Sequence, residues 1–291
     1  TRSIQVFLIL NLLFDMKIFL TGGTGFIGSH VINTAHENNI EVLALKRSSK
    51  SQPRIQLEKE PQWLQKAMGE VTEEDLKDVG VLVHLAAHSA NVPYDNLENC
   101  IQYNVIEPLG LFRTAAKAGV SNYVVAGSCF EYGKAGERYE YIPVDAPLEP
   151  TQTYPTSKAI SSIAFRQFAF ETKVNLSYHR IFQVYGEGEL KTRLFPSLKR
   201  AALSGEDFPT TEGKQVRDFI HVKDVAKKLL LAAQVSTSEK MDNPIAYYNL
   251  GSGNPQSVKS FCEYWWEKWG AAGNLLTGEI PYRAGEVMRY V

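Results

Sequence analysis

A doubly wound α/β fold on a parallel sheet is the class this sequence predicts, and three observations predict it. Short apolar runs such as Ile18–Leu20, Val81–Leu85 and Tyr123–Gly127 alternate with longer stretches of helical periodicity. The first run feeds a glycine-rich turn, Thr21–Gly28, which opens a helix whose apolar positions continue through Ile27, Val31 and Ile32. A chain of 291 residues with 44% hydrophobic and 22% charged side chains has enough apolar mass for a large globular core.

The turn is the organising element. Lys17–Leu20 reads as a buried strand, and each glycine after it has a steric job. Gly22 permits the tight turn, Gly25 lets backbone approach a pyrophosphate, and Gly28 lets the helix pack closely on the strand. Phe26 and Ile27 fall in the first helical turn, where free N–H groups and the helix dipole favour an anion. A dinucleotide is the ligand this arrangement predicts.

Charge narrows the partners. A net charge of -1 argues against a broad nucleic-acid footprint or a polybasic membrane patch, leaving small-molecule chemistry. Cys100, Cys129 and Cys262 are odd in number and unpaired in spacing, which suits a reducing, cytoplasmic setting and no metal site. Val6–Phe14 is almost wholly apolar but far shorter than the roughly 20 residues of a spanning helix. Met16 directly precedes the first strand, so residues 1–15 are expected to be an upstream or cloning-derived extension.

Along the chain, Ile40–Leu45 reads as a second strand ending in Lys46 and Arg47. An acid there would hydrogen-bond the adenosine ribose of NAD, whereas a basic pair suits the 2′-phosphate of NADP; Glu41 stands at the wrong end. NADP(H) is therefore the preferred cofactor, with NAD as the alternative. Gln52–Gln65 reads as a loose helix or loop, followed by a short third strand that places Glu70 and Val71 beside an adenine. Thr72–Asp78 reads as a helix capped by Thr72. Val81–Leu85 runs into small Ala86 and Ala87, so Leu85, Ala86 and Ala87 leave room for the cofactor. His84 and His88 lack a third metal ligand in view.

Leu97–Lys117 is a long helical pattern that carries Asn104 toward the cofactor region, and Tyr123–Gly127 is a strand ending at Ser128. The proline-bearing loop Gly133–Pro150 reads as a border of the active site. Tyr154 and Lys158 then lie four apart on one helix face, with Pro155 tolerated in the first turn. An ammonium beside a phenol stabilises the phenolate, so this spacing predicts a tyrosine of lowered pKa serving as acid or base.

With TGGTGFIG, HLAA, GSCFEYG, YPTSK, RIFQVYGEG, RDFIHVKDVA and YRAGEV in order, the chain from Lys17 to about Arg289 resembles an extended short-chain dehydrogenase/reductase of the nucleotide-sugar epimerase/dehydratase branch. That resemblance implies a Rossmann-type sheet with a smaller α/β substrate lobe at the C-terminal end. It implies Ser128, Tyr154 and Lys158 as the catalytic triad, with Tyr154 and Lys158 also touching the cofactor and Phe182 near the nicotinamide. It further implies Gln183, Leu194, Arg217 and Arg283 in a nucleotide-sugar pocket, the arginines facing nucleotide or phosphate oxygens.

The expected organisation is residues 16–178 mainly for the dinucleotide and 179–291 mainly for the nucleotide sugar, the two interleaved. In the latter part, Leu176–Phe182 reads as a strand, Gln183–Leu190 as a loop, Leu194–Ser204 and Val222–Gln234 as helices, and Tyr247–Leu250 as a strand. Ser257–Trp269 reads as an amphipathic helix with Phe261, Trp265 and Trp269 on its core face. The chain stops at Val291 just after the YRAGEV turn, so a C-terminal piece is expected to be missing.

Departures from the pattern choose the branch. Dehydratases that this chain resembles place an acid one or two residues after the triad hydroxyl, where Cys129 and Phe130 stand here; Glu131 comes one residue later and, in an extended segment, faces away from Phe130. The main expectation is NADPH-dependent reduction of a nucleotide-linked 4-keto-6-deoxy sugar. Its alternative is an NAD-dependent 4-epimerase, with a dehydratase and a non-catalytic dinucleotide sensor less favoured. A homodimer through helices 97–117 and 155–171 is the assembly expected by analogy.

Overall fold

The computed structural model describes residues 16–238, 243–283 and 285–291. The N-terminal extension read from the sequence lies outside them.

Seven parallel strands form the central sheet: β1 (Lys17–Thr21), β2 (Glu41–Lys46), β3 (Gln62–Gln65), β4 (Val81–His84), β5 (Asn122–Ser128), β6 (Asn175–Ile181) and β10 (Ile245–Leu250). Their order is β10-β6-β5-β4-β1-β2-β3, so the chain reverses its winding between β1 and β4. Ligands of such sheets lie at that reversal, beyond the C-terminal strand ends. Strand alternation divides the core. Phe19, Leu82, Tyr123 and Val125 face one side, packing with Leu111 and Phe112 of α3 (Glu107–Lys117) and Phe165 and Phe168 of α4 (Thr153–Thr172). Ile18, Leu20, Val81 and Val83 face the other, packing with Val31 and Ile32 of α1 (Phe26–Glu37) and Val225 and Leu229 of α6 (Val222–Ser238).

The long pattern at 97–117 is one helical path broken by a wider turn. α2 (Leu97–Ile101) passes through a single π-helical segment, Gln102–Ile106, into α3. Such a bulge inserts a residue and redirects side chains, a local irregularity that apolar spacing does not announce. The helix expected over Thr72–Asp78 is only a 3₁₀ turn, Glu74–Leu76; Asp75 Oδ2 accepts from the Thr72 hydroxyl, the Thr72 amide and Lys66, and these local bonds replace a longer helix.

Beyond the large sheet, β7 (Gln183–Tyr185) pairs in parallel with β9 (Val216–His221), which also carries β11 (Pro255–Ser257) and β13 (Arg289–Tyr290). The start of the expected Gln183–Leu190 loop is thus a strand, because its backbone finds β9, a partner distant in sequence. α5 (Leu194–Ser204) and α7 (Val258–Lys268) pack together, and β8 (Phe208–Thr210) pairs with β12 (Leu275–Thr277). α7 is buried on two sides: Phe261 and Trp266 are buried, whereas Trp265 and Trp269 are half-buried against Phe195 of α5.

Candidate active site

The glycine turn sits at the sheet reversal. Gly22 has φ +75°, and a Cβ there would meet the Ala86 amide at 2.7 Å, so the turn lies directly against the end of β4. A Cβ on Gly28 would be driven into the Gly22 carbonyl. Gly25 caps α1 without a side-chain hydrogen bond, and the first-turn amides around Phe26 and Ile27 have no side-chain cap to satisfy them. Backbone closely approached, donors aimed outward and small Ala86 and Ala87 opposite fit a dinucleotide pyrophosphate.

The β4 end is fixed by its own network. Thr21 Oγ1 hydrogen-bonds His84 Nδ1 at 2.8 Å and accepts from the Ala86 amide at 3.3 Å. Burial lowers His84 to about 3, with Lys158 adding to the effect, so the ring is neutral. Leu85 is half-buried in the same contact region. His88 pairs with Asp95 at 2.7 Å, which gives each histidine a specific non-metal partner. Asn104, in the π segment, accepts from the His88 amide at 2.7 Å and donates to the His88 carbonyl and to Ser157 Oγ. It ties the post-β4 loop to α4, so its amide is committed to positioning backbone.

Ser128 ends β5, and Tyr154 and Lys158 project from the first two turns of α4. Tyr154 is 7% exposed and Lys158 3%. The Ser128 hydroxyl accepts from the Phe130 amide at 3.2 Å, and Tyr94 lies against the Tyr154 ring with centroids 5.5 Å apart. Lys158 Nζ donates to the Ala126 carbonyl at 2.7 Å. These three residues converge at the carboxyl end of the sheet.

The lowered tyrosine pKa expected from spacing is not what the structure gives. Burial pushes the Tyr154 phenol up, Tyr94, Glu131 and Cys129 add to the rise, and Ser128 partly offsets it. Lys158 is engaged by Ala126 and is itself lowered to about 8 by burial, with Glu131 opposing. Helical spacing put the two side chains on one face but did not pair their heads.

Glu131 lies on a turn rather than in an extended segment. The chain turns after Ser128 into a 3₁₀ segment, Cys129–Tyr132, with Ser128 Oγ accepting from the Phe130 amide. That turn carries Glu131 fully out of water, where its carboxylate accepts from the Ser128 amide, Tyr178 Oη and Arg180 Nε. Burial raises the Glu131 carboxyl and Arg180 works against the rise.

Of the remaining cofactor candidates, Lys46 lies 4.9 Å from the centre of the Trp63 ring, a cation–π contact, while Arg47 is exposed. Glu41 pairs with Lys17 at the opposite strand end. Glu70 is exposed and accepts from the Ala67 amide, and Val71 is buried in the core. Phe182 is buried with Cys129, Tyr132 and Tyr290.

On the substrate side, Gln183 begins β7 and Leu194 begins α5. Arg217 is buried, donates to Glu286 at 2.8 Å and to the Val287 carbonyl, and lies over Tyr290. The same C-terminal segment carries Arg283, which together with Arg193 lowers the burial-raised pKa of Tyr94. Tyr94 therefore borders Tyr154, with Arg193 and Arg283 acting on it, and no motif in the sequence singled out Tyr94 or Arg193. A groove of about 420 Å³ on the outer side of α1, lined by His30, Glu58 and Lys227 among others, contains none of the predicted site residues.

The geometry has counterparts. Residues 18–251 match the model of the NAD dependent epimerase/dehydratase family. The chain belongs to this family. It is 29% identical to UDP-glucose 4-epimerase of Corynebacterium glutamicum, over 93% of this chain and 85% of that one. It is also 29% identical to TunA, an NAD-dependent NDP-hexosamine 5,6-dehydratase whose structure superposes with a TM-score of 0.77 over 94% of this chain and 87% of the other. MoeE5, solved with UDP-glucuronic acid and NAD, is 27% identical with a TM-score of 0.78 over 94% and 88%. This member of the epimerase/dehydratase family is an NAD(P)-dependent enzyme on a Rossmann-type sheet. Among its described residues, no helix is long and apolar enough to cross a membrane.

Proposed function

We propose that this enzyme interconverts C4 epimers of a nucleotide-linked hexose using a retained NAD. The observation that carries this reading is the inward turn of Glu131. The acid nearest the triad hydroxyl is committed to Arg180, so the cleft gains no carboxylate from that position for dehydration. The 4-epimerase named among the relatives supports the same branch.

Ser128, Tyr154 and Lys158 act as the triad. Tyr154 takes the proton of the C4 hydroxyl and returns it, Ser128 holds that oxygen through its hydroxyl, and Lys158 supplies positive charge behind them. The dinucleotide supplies the hydride acceptor when bound. Gly22, Gly25 and Gly28 with the α1 amides hold its pyrophosphate; Ala86 and Ala87 give it room, and Phe182 stands at the nicotinamide end. Arg217 and Arg283 recognise the nucleotide diphosphate of the sugar, with Gln183 and Leu194 beside them. The enzyme works as a homodimer through the exposed apolar side of α2–α4, where Ile106 is 52% and Ile163 63% exposed.

The NADPH-dependent reductase expected from Lys46 and Arg47 is the second reading. Arg47 remains exposed at the β2 end, but Lys46 is engaged on Trp63, which removes half of the basic pair from that argument. Analysis of nucleotide released on denaturing the purified protein separates the two. Retained NAD supports the epimerase; an empty site with preferential binding of NADPH supports the reductase.

A further inference from the structure

The loop between β7 and α5 holds a carboxyl that the reading above does not use. The Glu189 side chain is 8% exposed. Its Oε1 stands 3.5 Å from Arg193 Nε, a long contact, and its Oε2 is the one buried side-chain oxygen or nitrogen among the described residues with no hydrogen-bond partner. Buried polar atoms are nearly always satisfied, so an orphan carboxyl oxygen in the loop after β7 calls for a missing donor.

The loop has anchors on two sides. On one side, the Glu187 carbonyl bonds His30 Nε2 on α1, the helix that the glycine turn opens, and Gly188 packs against Arg54 and Ile55. On the other side, Arg193 acts on Tyr94, whose ring lies against Tyr154. Glu189 is therefore held in a loop anchored on α1 and contacts the arginine that acts on Tyr94. Burial raises its carboxyl to about 7, only partly countered by Arg193 and the Gly186 amide, the state of an acid still waiting for a partner.

We propose that Glu189 is a ligand-binding residue whose free carboxyl oxygen accepts a hydrogen bond from a sugar hydroxyl, on either the ribose of the dinucleotide or the hexose of the nucleotide sugar. The inference rests on the nucleotide-sugar reading. Neither ligand needs to change its chemistry for this contact: a hydroxyl donates and the carboxyl oxygen accepts.

The test measures binding of UDP-glucose and UDP to the wild type and to Glu189→Leu, Glu189→Gln and Glu189→Asp by calorimetry, and binding of NAD to the same proteins after their retained nucleotide has been removed. If the hexose is the donor, Glu189→Leu weakens UDP-glucose at least tenfold while UDP, which lacks the hexose, binds as in the wild type. If the ribose is the donor, Glu189→Leu weakens NAD at least tenfold. In either case Glu189→Gln, which keeps the acceptor oxygen, stays within threefold. Glu189→Leu binding NAD and UDP-glucose within twofold of the wild type overturns the proposal, as does equal weakening of UDP and UDP-glucose, which assigns the effect to Arg193. Should Glu189→Leu not fold, Glu189→Asp carries the test: its shortened reach weakens one ligand at least threefold, and unchanged binding overturns the proposal. A wild type that binds neither NAD nor UDP-glucose overturns the nucleotide-sugar reading itself, an outcome distinct from failure of the Glu189 contact alone.

Discussion

Arg180 Nε donates to Glu131 Oε2 across 2.9 Å, with both side chains almost wholly out of water, 49 residues apart in sequence. The same guanidinium donates to Tyr132 Oη and to the Val144 carbonyl, so one cation joins the turn after Ser128 to the loop bordering the site. This pairing holds the backbone of Ser128 through Glu131 and commits the Glu131 carboxylate to Arg180.

Removing Arg180 should therefore be costly. Arg180→Met leaves a carboxylate buried without its counter-ion, and breaking such a pair typically costs about 3–5 kcal/mol. Urea unfolding of Arg180→Met should show a loss of that order, and the double variant Arg180→Met/Glu131→Gln should recover part of it.

Lys158 predicts a pH dependence of stability in the protein freed of nucleotide. Burial lowers it from 10.5 to about 8. Between those values the unfolded chain holds a proton that the folded chain has released, so this residue makes stability rise with pH, by at most about 3 kcal/mol across the window. Below pH 8 both states are protonated and its contribution is flat. The difference between the wild type and Lys158→Met, followed by denaturant melts from pH 7 to 10, should show that slope in the wild type alone.

Two glycines should answer alanine in opposite ways. Gly28→Ala drives a Cβ into the Gly22 carbonyl and should abolish dinucleotide binding or folding. Gly110 lies within α3 with open space at its Cβ, so Gly110→Ala should stabilise by about 0.5–1 kcal/mol, read as a higher melting temperature.

The proposed dimer has a direct probe. Ile163 is mostly exposed on α4, where Phe170 is also exposed with Arg166 over its ring. Ile163→Glu places a charge on this apolar side and should shift sedimentation from dimer to monomer while leaving circular dichroism unchanged; a wild type that sediments as a monomer removes the dimer altogether.

What could be read in the sequence was what local spacing encodes. The glycine turn announced β1 and α1 because a strand, three glycines and a helix must be contiguous to work. Tyr154 and Lys158 were found on one helix face because a period of 3.6 requires it. Their electrostatics were not legible: the Lys158 ammonium goes to Ala126, a strand residue 32 positions away, and burial, with Tyr94 adding to it, sets the phenol. Whether the segment after Ser128 stays extended or turns is not encoded locally, because the turn that holds Glu131 depends on Arg180 and Tyr178, which arrive only with β6. At Lys46 nothing at the end of β2 announces the Trp63 ring on the neighbouring strand, so the sequence alone points to a 2′-phosphate. The sequence of β7 reads as loop because three residues become a strand only when β9 pairs with them. Tyr94, Glu189 and Arg193 stand in loops or at a helix start without motif or periodicity, and only the closing of the fold brings Tyr94 against Tyr154 and Arg193 to Tyr94.

The measurement that bears most directly on the central claim is incubation of the purified protein with UDP-glucose and UDP-N-acetylglucosamine, without added dinucleotide, followed by proton NMR of the sugar. The account predicts appearance of the C4 epimer of at least one of them in the wild type, and a loss of about 10²–10⁴-fold in rate in Tyr154→Phe with bound NAD retained. No epimer from either sugar, together with stoichiometric NADPH consumption on a 4-keto nucleotide sugar, would contradict it and return the enzyme to the reductases.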